Sequence, residues 1–211
     1  MTRPIVIAVD GTAASGKGTL AKKLAQHFGF AHLDSGSLYR LVALGVAEAD
    51  GDPNNENDAL KAAKTIDPSK AGDPRIRTAE IGHAASLVSV FPAVRAALLN
   101  YQRDFASRPP GAIIDGRDIG TIVCPDAQAK LFIDAAPEIR AHRRWLELGG
   151  SEPAILKELL ERDARDRSRA VAPLKPAPDA ALLDTTALDI DAAFKAALDL
   201  VEKALKVQPQ G

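Results

Sequence analysis

Ile5-Val6-Ile7-Ala8-Val9-Asp10 leads into Gly11-Thr12-Ala13-Ala14-Ser15-Gly16-Lys17-Gly18-Thr19, and a helical pattern follows. The order is strand, glycine-rich turn, helix, which is the context a phosphate-binding loop requires. Gly11 and Gly16 let the backbone curl so that successive N–H groups point inward at phosphate oxygens. The helix that opens near Lys17 turns its positive end to the same anion, and Lys17 adds a point charge for the outer phosphates. The alternative is a plain strand-to-helix turn with an incidental lysine; the agreement of motif and context argues against it.

Gly18 stands where the usual pattern has a Mg²⁺-ligating hydroxyl, and the hydroxyl comes one residue later, at Thr19. No metal is therefore expected to be held tightly by protein groups. Mg²⁺ is expected to lean on substrate phosphates and water, with Thr19 the one candidate protein ligand.

A chain of 211 residues with 46% hydrophobic content suits one domain with an ample core. A net charge of −1 gives no electrostatic case for nucleic acid or a membrane as partner. Cys124 is alone, so no disulfide framework exists and a reducing compartment is expected. No secretory signal pattern opens the sequence and no apolar run reaches ~18 residues, so a soluble, cytoplasmic protein is the expectation. His27, His32, His83 and His142 share no metal-ligand spacing and read as surface or packing residues.

Along the chain, Leu20, Leu24 and Phe28 recur at helical spacing before Gly29. Phe30–Leu33 reads as a second strand, Asp34-Ser35-Gly36 as a turn, and Ser37 to about Asp50 as a helix. Gly51 to Pro74, with three prolines, reads as a loop around one short helix near Asp58–Lys64. Two helices follow, with Pro92 in the first turn of the second. Ala112–Asp115 and Lys130–Asp134 are strand patterns; Pro137 starts a helix that ends at Gly149-Gly150. A charged helix runs from about Ala154 to Ala170, Ala181–Asp184 is the last strand, and the final helix carries Ile190, Phe194, Leu198, Val201 and Leu205 on one face. The fold class is α/β: a five-stranded parallel sheet flanked by helices. Ligands of such sheets bind beyond the carboxyl ends of the strands, which puts Asp10-Gly11, Asp34-Ser35 and Asp115-Gly116-Arg117-Asp118 on one rim.

Three clusters join the loop. In Asp34-Ser35-Gly36-Ser37-Leu38-Tyr39-Arg40, Arg40 can meet a phosphate bidentately; the alternative is an N-cap serine with a solvated arginine. Asp115 sits where a carboxylate can hold a metal-bound water, and Arg117 with Asp118 forms a donor–acceptor pair; the alternative is a tight turn with a local ion pair. In Glu161–Arg169, the residues Arg162, Asp166 and Arg169 fall at i, i+4 and i+7 on one helical face. That helix is either a solvated surface or a lid whose arginines bring positive charge and exclude water.

In these residues the chain resembles the bacterial-type cytidylate kinases, a branch of the P-loop nucleoside monophosphate kinases. The matching stretches are GTAASGKGT (11–19), LDSGSLYR (33–40), AASLVSVFPAVRAAL (84–98), IIDGRDIGTIVCPDA (113–127), AHRRWLEL (141–148) and ERDARDRSRAVAPL (161–174). They keep the family's order and span most of the chain. The resemblance implies ATP-dependent phosphorylation of CMP and dCMP, with Mg²⁺, on one domain with a monophosphate-binding arm at about 35–107 and a lid at about 160–175. Gly11, Thr12, Ala13, Ala14, Ser15, Gly16, Lys17, Gly18 and Thr19 are the implied ATP loop. Ser35, Arg40, Asp115, Arg117, Arg162 and Arg169 are implied on the CMP side, with Ser86, Arg95 and Asp118 on the base and Asp166 on the ribose. Lys17, Arg117, Arg162 and Arg169 are the implied catalytic residues. A monomer is the family expectation. Cytosine's N4 amino group is a donor where uracil has an acceptor, so a carboxylate such as Asp118 suits cytosine. Relatives often carry a longer insert with a small β-sheet in the arm; Gly51–Arg75 is short and has no alternating apolar run, so a loop with a helix is expected there.

Two other functions fit less well. One is a P-loop kinase for another acceptor, such as UMP or shikimate. The other is a nucleotide-gated binding module without turnover, which has no need of the arginine-rich third cluster.

Overall fold

The computed structural model describes residues 4–207. Its elements are β1 (Ile5–Gly11), α1 (Lys17–Phe28), β2 (Ala31–Asp34), α2 (Ser35–Glu48), α3 (Glu56–Ala63), α4 (Ala79–Val88), α5 (Pro92–Ala106), β3 (Gly111–Gly116), β4 (Ala129–Asp134), α6 (Pro137–Leu148), α7 (Glu152–Ser168), β5 (Ala181–Asp184) and α8 (Ile190–Val207). The sheet has five strands in the order β2-β3-β1-β4-β5. β1 pairs in parallel with β3 and β4, and β4 with β5. Among the described residues no single helix is long and apolar enough to cross a membrane.

The central strands β1, β3 and β4 read as apolar runs because both of their faces are covered, while the edge strands β2 and β5 stay partly exposed. Ile7, Val9, Ile113, Leu131 and Ile133 are buried against Leu20, Leu24 and Ala25 of α1 and Ala193, Ala197 and Val201 of α8. Each large side chain so buried stabilises by roughly 1.5–3 kcal/mol. The same register brings the carboxyl ends of the strands level: Asp10 faces Gly116, Gly11 faces Ile133 and Asp134 faces Asp184.

The chain divides into two compact units, Met1–Leu33 with Phe105–Gly211, and Asp34–Asp104. In the second, α2 packs on α3, on α4 and on two short 3₁₀ turns, Pro68–Gly72 and Pro74–Arg77. The polar residues of the expected loop are caps: Asn55, Asp67, Asp73 and Thr78 each accept from a backbone N–H one turn on. No strand lies between residues 51 and 78.

Several boundaries differ from expectation by a residue or two, and three differences have a visible cause. The expected turn at Asp34-Ser35-Gly36 is the first turn of α2, because Asp34 is itself the N-cap. The charged helix starts two residues earlier, with Ser151 as N-cap and Pro153 in the first turn, where a missing N–H does no harm. It also ends earlier, so Arg169 is extended (φ −57, ψ 133) rather than helical. The shared face thus holds for Arg162 and Asp166 only.

After β3, Ile119–Val123 forms a single π turn, which has no sequence signal of its own. Asp10 anchors it, accepting from the N–H groups of Ile119 and Gly120 at 2.8 Å each. Burial pushes the Asp10 carboxyl up to about 7, outweighing those two hydrogen bonds. A carboxyl raised in this way lends stability that is complete below about 3.8 and is lost as pH climbs through about 7. Asp10→Asn removes the titration. The urea midpoint of the variant is therefore expected to vary less with pH between 4 and 8 than that of the parent. The difference in slope should approach, but not exceed, ~1.4 kcal/mol per pH unit. Parallel slopes would show that Asp10 titrates normally.

Candidate functional site

The loop between β1 and α1 is held from behind. Gly11 passes so close to β4 that a Cβ would lie 2.0 Å from the Ile133 carbonyl oxygen. Gly16 is left-handed (φ 87) at the N-cap of α1, and a Cβ there would meet nothing within 4 Å. Thr12 Oγ1 donates to Asp134 Oδ1 at 2.6 Å. Arg140 Nη1 donates to the Ala13 carbonyl at 3.1 Å, and Thr185 Oγ1 lies 3.2 Å from the Ser15 carbonyl. In a trans peptide the next N–H points opposite to the carbonyl. Tethering Ala13 and Ser15 by their oxygens therefore turns the amides of Ala14 and Gly16 the other way, into an anion-binding concavity. Lys17 Nζ reaches back across the loop to the Thr12 carbonyl at 3.3 Å. The Ser15 hydroxyl is buried with no protein partner among the described residues, which fits a loop made for a ligand's oxygens.

Asp115, at the end of β3, is buried, and its Oδ2 lies 3.5 Å from where a Gly18 Cβ would sit. Its Oδ1 meets His32 Nε2 at 2.8 Å. Arg117 turns away from the local pairing expected with Asp118 and donates from Nε to Asp166 Oδ2 on α7 at 2.9 Å. Arg169 Nη1 lies 3.9 Å from the other oxygen of Asp166. Burial alone would raise the Asp166 carboxyl, but the guanidiniums of Arg117, Arg162 and Arg169 together hold it below the ordinary carboxylate range. One face of the helix is therefore not solvated: Asp163 is 1% exposed and Asp166 4%, and Arg169, just past its end, is 8% exposed. Asp118 is buried at the N-terminus of the π turn.

The second unit holds the other expected residues. Ser35 is buried in the first turn of α2 and Ser86 on α4. Arg40 Nη1 donates to the Ile76 carbonyl at 2.7 Å, and its guanidinium lies against Gly82, where a Cβ would approach within 3.1 Å. Arg95, on α5, is 8% exposed; it donates to the Ser89 carbonyl at 3.2 Å and stands 5.4 Å from the Tyr39 ring centroid.

Arg140, Asp163, Asp134, Thr185 and His32 were not among the expected site residues. Arg140, Asp163, Asp134 and Thr185 lie far from the loop in sequence, His32 lies far from its partner Asp115, and none belongs to a phosphate-loop motif. Among the described residues no group of three or more His, Cys, Asp or Glu side chains could hold a metal ion, and Thr19 is exposed on α1.

Comparison with known proteins agrees with this geometry. The cytidylate kinase family profile matches residues 7–203. The chain is 54% identical over 203 residues to a cytidylate kinase of Rhodopseudomonas palustris, covering 94% of this chain and 96% of that one. It is 52% identical over 205 residues to a cytidylate kinase of Afipia carboxidovorans, covering 95% and 98%. A gluconokinase from Sinorhizobium meliloti shares the fold alone, with a TM-score of 0.50 and 14% identity over 98% of this chain and 96% of that one. With the loop, the sheet order and near-complete coverage in agreement, the chain belongs to the cytidylate kinase family.

Proposed function

We propose that this protein transfers the γ-phosphoryl group of ATP to the phosphate of CMP and dCMP, giving ADP and the nucleoside diphosphate. The bond from the γ-phosphorus to its bridging oxygen breaks, and one to an acceptor phosphate oxygen forms. The acceptor is already an anion, so no general base is needed. Positioning and charge neutralisation supply the acceleration.

The observation that carries the reading is the gathering of Arg117, Arg162 and Arg169 about Asp166 in the unit that also contains the phosphate loop. Phosphoryl transfer spreads negative charge over the equatorial oxygens of the moving group, and such a cluster answers it. Residues Gly11 to Thr19 hold the ATP phosphates, with Lys17 on the outer ones. Arg117, Arg162 and Arg169 neutralise the transferring group and the acceptor phosphate. Ser35 and Arg40 bind the acceptor phosphate, Asp166 the ribose, and Ser86, Arg95 and Asp118 the base, while Asp115 orients the water shell of the metal. When bound, Mg²⁺ would supply charge neutralisation to the phosphates, with Asp115 and Thr19 the nearby protein oxygens for its water shell. The family, the lone Cys124 and the balanced net charge support a cytoplasmic monomer with nucleotides as its only partners.

A panel of acceptors in an ATP-consumption assay tests the reading: CMP and dCMP should stimulate turnover far above UMP or shikimate, and equal stimulation by all would refute it. Lys17→Ala should lower kcat by at least ~10²-fold with an unchanged circular dichroism spectrum, since one electrostatic donor of this kind contributes about that much. A folded variant with near-parent turnover would remove Lys17 from the mechanism. Asp118→Asn should narrow the ratio of kcat/KM for CMP over UMP by about tenfold or more, because an amide can donate to uracil O4 where a carboxylate repels it. Equal losses on both acceptors would take Asp118 away from the base.

A further inference from the structure

Whatever holds the Ala13 carbonyl also aims the Ala14 N–H, because the peptide between them is planar and trans. Arg140 holds it, and does little else that a surface arginine does. Its side chain is 2% exposed. Nε donates to the Ala135 carbonyl at 2.8 Å, and Nη1 reaches the Ala13 carbonyl at 3.1 Å. The same Nη1 lies 2.8 Å from Asp163 Oδ2, whose side chain is 2% exposed. If the guanidinium swung away, the buried carboxylate would keep only longer contacts, to the Ala13 N–H at 3.5 Å and to Arg167 Nη1 at 3.8 Å, a costlier loss than that of an exposed pair.

Ala14 supplies an independent observation. It sits at φ 57, a left-handed conformation that an alanine keeps only when its surroundings impose it. Those surroundings are visible: Ala13 and Ala14 pack on Ala141 of α6 and on Ile155, Leu156 and Leu159 of α7. Arg140 and Asp163 belong to the same two helices, so the apolar contact and the ion pair press on one peptide from one side.

We propose that Arg140, braced by Asp163, is a positioning residue of the phosphate loop: it fixes the Ala13–Ala14 peptide plane so that the Ala14 N–H faces the phosphates of the bound nucleotide. This deepens the function proposed above and rests on it for the identity of the nucleotide. Arg140 touches no substrate. Its effect reaches the phosphates through one backbone amide, so it acts on the triphosphate and leaves the acceptor alone.

The test is calorimetric titration of ATP with Mg²⁺, of inorganic tripolyphosphate and of CMP into the parent, Arg140→Lys and Asp163→Asn. Amide hydrogen exchange at Ala14 and the urea midpoint are recorded for each. Lysine can serve one of the three acceptors but not all. Both variants should bind ATP and tripolyphosphate about tenfold more weakly, since small misplacements of a phosphate-binding group cost one to two orders of magnitude. CMP affinity should stay within about twofold, and Ala14 should exchange faster by more than the change in midpoint explains. Parent-level triphosphate binding in a folded variant, equal losses for ATP and CMP, or unchanged exchange at Ala14 would each overturn the proposal. If Asp163→Asn fails to fold, Arg140→Lys decides, because it leaves Asp163 a cation. A parent that binds tripolyphosphate but not CMP would defeat the acceptor assignment while leaving the loop inference standing.

Discussion

Turning several amides toward one point leaves their carbonyls facing the other way, and buried carbonyls need donors. That constraint organises the larger unit. Apart from Lys17 on the Thr12 carbonyl, the groups that hold the loop are not local. Ala13 is served by Arg140 on α6 and Ser15 by Thr185 just after β5, while Thr12 turns its hydroxyl to Asp134 at the end of β4; the partners lie 127, 170 and 122 positions downstream. Thr185 is in turn set by its own N–H on the Asp134 carbonyl at 2.8 Å and by Arg143, which donates to both its hydroxyl and its carbonyl. The loop is therefore shaped by the sheet order as much as by its glycines. β4 must lie beside β1, and β5 beside β4, for these groups to arrive behind it.

The buried charges follow a different logic from the surface ones. Pairs such as Lys157 with Glu161 or Lys206 with Glu202 are exposed i,i+4 contacts worth a few tenths of a kcal/mol at most. Asp163, Asp166, Arg140 and Arg169 are buried, and apolar residues of equal volume would often serve stability as well or better. Their concentration on α6 and α7, beside the phosphate loop, is thus poorly explained by stability. It is well explained if the unit must present fixed positive charge to a polyanion. Asp166 then has a second task whatever it does for the ribose: it keeps Arg117 and its neighbours together despite their mutual repulsion.

Much of this was legible in the chain. Buried parallel strands write themselves as continuous apolar runs, so β1, β3 and β4 stood out, while the half-exposed β2 and β5 were marked by their place between helical patterns; the glycine–lysine loop, DGRD and RDARDRSR supplied the candidate residues. The lid reading of α7 drew on its arginines alone and missed what anchors it. Asp163 looked like one more charge in a charged helix, and Arg140 like one of three arginines on α6; only the fold brings them together under Ala13. His32 likewise read as packing because its partner Asp115 is 83 positions away. The π turn left no trace because its residues, Ile119–Val123, are ordinary, and its cause is Asp10, a strand residue. The polar stretch after Gly51 read as coil because Asn and Asp mark turns and caps alike, and here they cap.

Asp10 shows how economically the two halves of the rim are tied. Its two carboxylate oxygens accept from two successive amides, Ile119 and Gly120. An asparagine could accept only one, and its own NH₂ would face the other N–H. The ionised carboxylate accepts from both, and burial works against that form by pushing the pKa up to about 7. The Asp118 carbonyl meanwhile accepts from Ile122 and Val123 at 2.9 and 3.2 Å. Both atoms of the peptide that follows Asp118 are thus held, the oxygen by the turn and the N–H by Asp10. The direction of the Asp118 side chain is set less by its own loop than by β1. Asp10 directly precedes Gly11, so one strand end fixes both where the phosphate loop begins and how Asp118 is presented. A shift of β1 along the sheet would move the two together, which preserves the distance between phosphate loop and Asp118.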